Sequence, residues 1–203
     1  MEDEAKFASI PWVSKLIQDP QWVSVTTPSR IPKPTGEDSF FAKLLNSPTT
    51  IPGYLSQYRR PDTAIAHGAP ISNDGSKHEP AQISEVRTFV TLMKDLAGHP
   101  NLTHGGIIAS VFDEVMGVMI MIRLQGGKPE HMDVGGGGLF TAYMNVQYLR
   151  PVPLGGAVMV VAWVKKVTEG RKFWIESEMR DEAGTVLATG ETLYVKAKAK
   201  AKM

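Results

Sequence analysis

From Ser84 onward, apolar and polar residues follow regular periods along the chain, a cleaner pattern than the one before Pro80. SEVRTFVTLM alternates with β-branched and aromatic residues, which predicts a half-buried strand. KDLAGHPNLTHGG carries breakers and reads as a loop feeding a helix from about Gly105 to Leu124, apolar almost all round. QGGKPEHMDVGGGG is a loop with six glycines, and LFTAYMNVQYLR is a strand stopped by RPVP. AVMVVAWVKKV and RKFWIESEMR are strands joined by a tight hairpin at Thr168-Glu169-Gly170. DEAG then turns the chain into TVLATGETLYVKA. A strand, a long buried helix and three or four antiparallel strands predict an α+β domain in which one sheet wraps a single central helix.

Ten of the 14 prolines lie in residues 1–80, so this part reads as a Pro-rich extension that packs on a core formed by residues 81–203. PWVSKLIQDP predicts a short helix, with Pro11 in its first turn and Pro20 ending it. TTPSRIPKPTGED is a loop, SFFAKLLN a helical turn or the start of a strand, and IPGYLSQYRRP an extended segment. Residues 62–82 hold breakers and few apolar positions, which predicts a surface loop.

Composition narrows the chemistry. The formal net charge of +1 gives no reason to expect nucleic acid or an anionic membrane as partner. There is no cysteine, which removes disulfides, thiolate-bound zinc and a thiol nucleophile, and points to an intracellular, cytoplasmic location. The C-terminal Ala-Lys-Met adds a second option, since it is a relaxed form of the Ser-Lys-Leu peroxisomal address; the other reading is a solvated basic tail. The most apolar run, Ile107 to Leu124, is interrupted by Asp113, Glu114 and Arg123, so no membrane span is expected. The chain has no G-x-S-x-G elbow, P-loop or dinucleotide fingerprint, and its histidines are scattered. Neither a metal site nor a cofactor is expected.

The two adjacent carboxylates in HGGIIASVFDEVMG are the candidate chemistry, because an ionised carboxylate buried without a partner costs several kcal/mol. At about 100° per residue, Gly106, Ala109, Ser110, Asp113 and Gly117 fall on one face of small side chains with a carboxylate in the middle. That face either lets another backbone pack closely or leaves room for a ligand at Asp113, and spacing alone does not choose. Glu114 projects to a different side and reads as a structural hydrogen-bond or ion-pair partner. At the helix start, Gly105 and Gly106 leave backbone N–H groups uncovered beside the positive end of the helix dipole. Such donors suit an oxyanion, although Gly-Gly also serves simply to make a turn.

HGGIIASVFDEVMG resembles the helix motif of hotdog-fold acyl-CoA thioesterases of the 4-hydroxybenzoyl-CoA and phenylacetate-pathway type. TAYMNVQYLRPVPLG and VKKVTEGRKFWIESEM are similar to the matching strands of animal mitochondrial superfamily members, and GHPNLTHGG resembles fungal relatives. The resemblance covers about residues 84–197. It implies a hotdog fold, a homodimer or dimer of dimers paired edge to edge, and active sites at the subunit interface. The substrate implied is an acyl-CoA or an acyl-carrier thioester. Asp113 falls at the catalytic carboxylate, as general base or nucleophile, and Gly105 at the oxyanion N–H with His104 shaping its loop. Thr141 lies at the hydroxyl position that orients the water or the carboxylate. Gly106 is a substrate-binding position, and Arg171 and Lys172, with Arg150 as a lesser candidate, match positions near the CoA phosphates. Two departures stand out: Asn101 is near, but not in register with, the amide that many relatives place before HGG, and residues 125–138 form a longer loop that reads as an insertion. The seven aromatics of residues 1–60 (Phe7, Trp12, Trp22, Phe40, Phe41, Tyr54, Tyr58) either glue the extension to the sheet or line an acyl tunnel. A non-catalytic acyl-CoA-binding protein is the alternative; a hotdog dehydratase would need a helix-start histidine with a matching acidic partner.

Overall fold

The computed structural model describes residues 2–61, 83–126 and 138–197. The predicted loop at 62–82, most of the glycine-rich loop and the Ala-Lys-Met terminus lie outside these residues. Helix α3, Gly105–Leu124, has the bounds that its sequence predicts and runs about 30 Å. It lies against one face of a seven-stranded antiparallel sheet built from β1 (Trp22–Val25), β2 (Tyr54–Arg59), β3 (Glu85–Leu92), β6 (Leu139–Tyr148), β7 (Gly156–Thr168), β8 (Lys172–Arg180) and β9 (Val186–Lys196). The spatial order is β1-β2-β3-β7-β8-β9-β6, which leaves β6 as an edge. Strands β4 (Ala97–His99) and β5 (Leu102–Thr103) form a small separate hairpin just before α3.

The helix is buried on all sides but one. Ile108, Val111, Phe112, Val115, Met116, Met119 and Ile120 enter the main core, whereas Gly106, Ser110, Asp113, Gly117 and Met121 remain open or partly open. Close approach of sheet and helix depends on Gly190 in β9. A Cβ there would stand 2.7 Å from Ser177 Oγ and 3.2 Å from the Phe112 ring. The β7–β8 hairpin turns through Glu169 and Gly170, with φ of 56° and 60°; two consecutive left-handed residues make the tight turn that the right-handed strand twist favours.

The N-terminal part does more than rest on the sheet, because it extends it. β2 pairs with β3, and β1 with β2, so β3 is an interior strand and not a half-buried one. Its side chains are buried on both faces, because α3 covers one and the segment around α2 (Pro11–Ile17) covers the other through Phe7, Val13, Leu55 and Phe89. Arg87 of β3 fastens this layer: its guanidinium sits 4.1 Å from the Trp22 ring and donates to Gln57 Oε1 and Leu16 O. SFFAKLLN forms a wide helical turn over Phe40–Leu44, and Phe41 packs edge-on against Tyr54. Six of the seven aromatics thus belong to or contact the sheet, Tyr58 as part of β2, while Phe40 is exposed.

Candidate active site

His104 sets the tip of α3. It holds extended backbone angles as the N-cap, and its Nδ1 accepts the Gly106 N–H at 2.9 Å. An accepting Nδ1 carries no proton, so the ring hydrogen lies on Nε2. The expected pair of free donors at Gly105 and Gly106 is therefore a single one: Gly106 is occupied by the cap, and among the described residues no acceptor faces the Gly105 N–H. Gly98 makes room for this arrangement, because a Cβ there would lie 2.8 Å from His104 Cα. Asn101 adopts φ of 60° at the β4–β5 turn, a conformation asparagine tolerates well. Tyr148, from the edge strand β6, donates its hydroxyl hydrogen to Gly105 O at 3.0 Å.

Two turns along, Asp113 faces the open side of the helix. Thr141 Oγ1 donates to Asp113 Oδ1 at 2.7 Å, and the Tyr194 hydroxyl lies 2.8 Å from that oxygen and 2.6 Å from the Asp113 carbonyl. The sheet register explains the pairing of these hydroxyls. Thr141 in β6 stands opposite Tyr194 in β9, and an irregularity between Thr141 and Tyr143 changes which β6 side chains face inward. The second carboxylate oxygen, Oδ2, is left for whatever occupies the open face. Burial, then the neighbouring carboxylate, raises the Tyr194 phenol far above the ordinary tyrosine range, so it remains a donor at any working pH.

Glu114 points into a different cluster. Ser29 Oγ hydrogen-bonds its Oε1, and burial pushes the Glu114 carboxyl up to about 7 despite that bond. Arg30, next to Ser29, donates to the carbonyls of Phe41 and Ile51 and to Asn46 Oδ1, with its guanidinium 5.4 Å from the Tyr54 ring. Ser29 and Arg30 come from the N-terminal part, so the motif of α3 alone does not reveal them.

The remaining predicted positions lie apart. Arg150 donates to Val186 O at 2.7 Å, at the same end of the sheet as Gly105. Lys172 pairs with Glu169 at 2.8 Å and, with Arg171, sits at the far end, where β6 begins rather than where it meets Gly105. Within the helix, eight residues separate Gly105 from Asp113, a span of roughly 12 Å at 1.5 Å per residue. A base and an oxyanion donor that serve one carbonyl must both come within about 3 Å of the reacting atoms. The Gly105 N–H and the Asp113 carboxylate of one chain thus address different stretches of the helix. Among the described residues no cluster of metal ligands is found, and no helix is long and apolar enough to cross a membrane.

Residues 101–188 match the Thioesterase superfamily. The chain is 33% identical over 102 residues to acyl-coenzyme A thioesterase THEM4 of Xenopus laevis, an alignment covering 50% of this chain and 40% of that protein. The Bos taurus protein of the same name is 29% identical over 102 residues, covering 50% and 36%. The chain thus spans about two fifths of the length of these animal relatives. Verlamelin biosynthesis protein B of a Lecanicillium species is 26% identical over 172 residues, covering 76% of this chain and 71% of that protein. A crystal structure of a thioesterase superfamily protein aligns with a TM-score of 0.45 at 30% identity, over 57% of this chain and 56% of that one. The match over residues 101–188 takes in the whole of α3 and strands β6 to β8, so this segment is similar to the Thioesterase superfamily, and an antiparallel sheet laid against a single long helix is the hotdog arrangement that the sequence resemblance implies.

Proposed function

We propose that this protein hydrolyses acyl thioesters, with acyl-CoA as the substrate class and an acyl-carrier thioester as the other donor of the same chemistry. The observation that carries the reading is the state of Asp113: one oxygen held by two hydroxyls, the other free, on the open face of an otherwise buried helix. A carboxylate so held suits general-base work. It takes a proton from water as the water oxygen attacks the thioester carbonyl, a tetrahedral oxyanion forms, and the carbon–sulfur bond then breaks as that proton passes from Asp113 to the departing sulfur, giving acid and thiol. Direct attack by Oδ2 to give a mixed anhydride, later hydrolysed, is the nucleophilic form of the same site.

The oxyanion falls to the Gly105 N–H of a second copy, with His104 keeping Gly106 out of the way. β6 is an open edge, and Phe140, Tyr143 and Tyr148 on it are 62%, 48% and 54% exposed. A two-fold axis at this edge would set two α3 helices antiparallel, with one helix tip beside the middle of the other. Arg171 and Lys172, with Arg150 in a lesser role, are assigned to the CoA phosphates. The experiment is thiol release followed across a panel of acyl-CoAs, for the native chain and Asp113→Asn. Turnover that falls by orders of magnitude in the variant, with the fold retained, supports the reading; wild-type turnover in the variant removes Asp113 from it. Tight acyl-CoA binding by the native chain without thiol release would leave the binding-protein alternative.

A further inference from the structure

We propose that Tyr194 is a positioning residue for this hydrolysis, holding the Asp113 carboxylate by one oxygen so that Oδ2 presents a single orientation to the substrate. The inference rests on the thioesterase reading of Asp113. The Tyr194 hydroxyl is within hydrogen-bonding distance of two Asp113 atoms at once, Oδ1 and the backbone carbonyl. It thereby ties the side-chain torsion of Asp113 to the helix that bears it. Thr141 comes to the same oxygen from β6, the open edge strand, whereas Tyr194 comes from β9, an interior strand, and is 4% exposed. Of the two hydroxyls, Tyr194 is the one that the core fixes.

Gly117 lies beside the Tyr194 hydroxyl, where an added Cβ would make an ordinary van der Waals contact. A Cβ there would stand 3.6 Å from the Tyr194 oxygen, so the small-residue face of α3 is where the phenol reaches the helix. The small face, ambiguous between packing and ligand space in the sequence, serves packing at Gly117 and leaves space at Ser110 and Gly106, which remain partly open or exposed. Glu114 on the same helix also acts on this cluster, and Asp38 acts on Glu114. Arg30 and Tyr54, from the N-terminal part, act on Glu114 and Tyr194 in turn. None of these donates to Asp113 Oδ1, so removing the phenol hydroxyl removes one of its two donors.

The test is Tyr194→Phe, which keeps the ring and deletes the hydroxyl. Hydrogen bonds to charged groups are strong enough that kcat should fall about tenfold to a hundredfold with KM little changed. The acidic limb of the kcat/KM profile should move to higher pH, because the ionised carboxylate has lost a donor. In an Asp113→Asn background the same substitution should cost nothing further. If the Phe variant folds poorly, 3-fluorotyrosine at position 194 keeps the hydroxyl and acidifies it; kcat should stay near wild type and the limb should move to lower pH. Wild-type kcat and an unmoved limb in folded Tyr194→Phe, or an unmoved limb with fluorotyrosine, would overturn the inference while leaving Asp113 in place. If Asp113→Asn alone retains full activity, the hydrolase reading falls first, and this one with it.

Discussion

Glu114→Gln is expected to stabilise the protein at alkaline pH and to do little at acidic pH. In the folded chain burial raises the Glu114 carboxyl from the usual 4.5 to about 7, outweighing the Ser29 hydrogen bond that opposes it. The folded state therefore binds a proton more tightly than the unfolded state. Stability from this group is fully present below pH 4.5 and is lost as pH rises through about 7. That displacement corresponds to roughly 3 kcal/mol at most, because each pH unit is worth about 1.4 kcal/mol and the side chain retains some contact with water. Glutamine has nearly the same shape, can still meet Ser29 and never ionises. Near pH 5 the two proteins should unfold within about 1 kcal/mol of each other. At pH 8 and above the variant should be more stable by up to about 3 kcal/mol, which is about 6–12 °C in Tm for a chain of this size. Thermal and urea unfolding of both proteins at constant ionic strength, from pH 5 to 8.5, measures the difference directly. Melting curves that stay parallel over the whole range would refute the argument, since they would mean that Glu114 ionises in the folded state as it does in water.

Gly105→Pro removes the one unoccupied N–H at the tip of α3 while suiting the first helical position, and His104 before it already has the extended backbone that proline requires. Its expected signature is a kcat loss of about a hundredfold or more with Tm almost unchanged, read by thiol release and circular dichroism. Gly98→Ala drives a methyl group against His104 Cα and should lower kcat at least tenfold by shifting the cap, with Asp113 untouched. Gly190→Val places bulk where Ser177 and Phe112 already touch and should cost about 1–3 kcal/mol in urea denaturation.

Much of the hotdog half was legible because its signals are local. The 3.6-residue run bounded by His104 and Gln125 and the two-residue hairpin at Glu169-Gly170 depend only on near neighbours in sequence. The open face of α3, from Gly106 to Gly117, was also visible as a small-residue stripe, although its use was not. What escaped was long-range. Thr141 was reached only through the resemblance, and nothing local indicates that it stands opposite Tyr194 or that Tyr194 reaches Asp113, since both facts belong to strand pairing between residues 53 apart. β3 looked half-buried because its second cover, Phe7 and Val13, arrives from the N-terminal part, far away in sequence. The donor pair at Gly105 and Gly106 reduced to one for a similar reason: His104 was noted as shaping the loop, but its ring position as a cap depends on the space above Gly98.

The most direct test of a two-chain site is to mix Asp113→Asn and Gly105→Pro subunits, each inactive alone, after unfolding and refolding them together. Each mixed dimer would then hold one intact site, pairing the acid of one chain with the amide of the other. Statistical assembly predicts that activity returns to about a quarter of the native level. Activity that stays at the level of the separate variants, in a mixture shown to contain mixed dimers, would contradict the account.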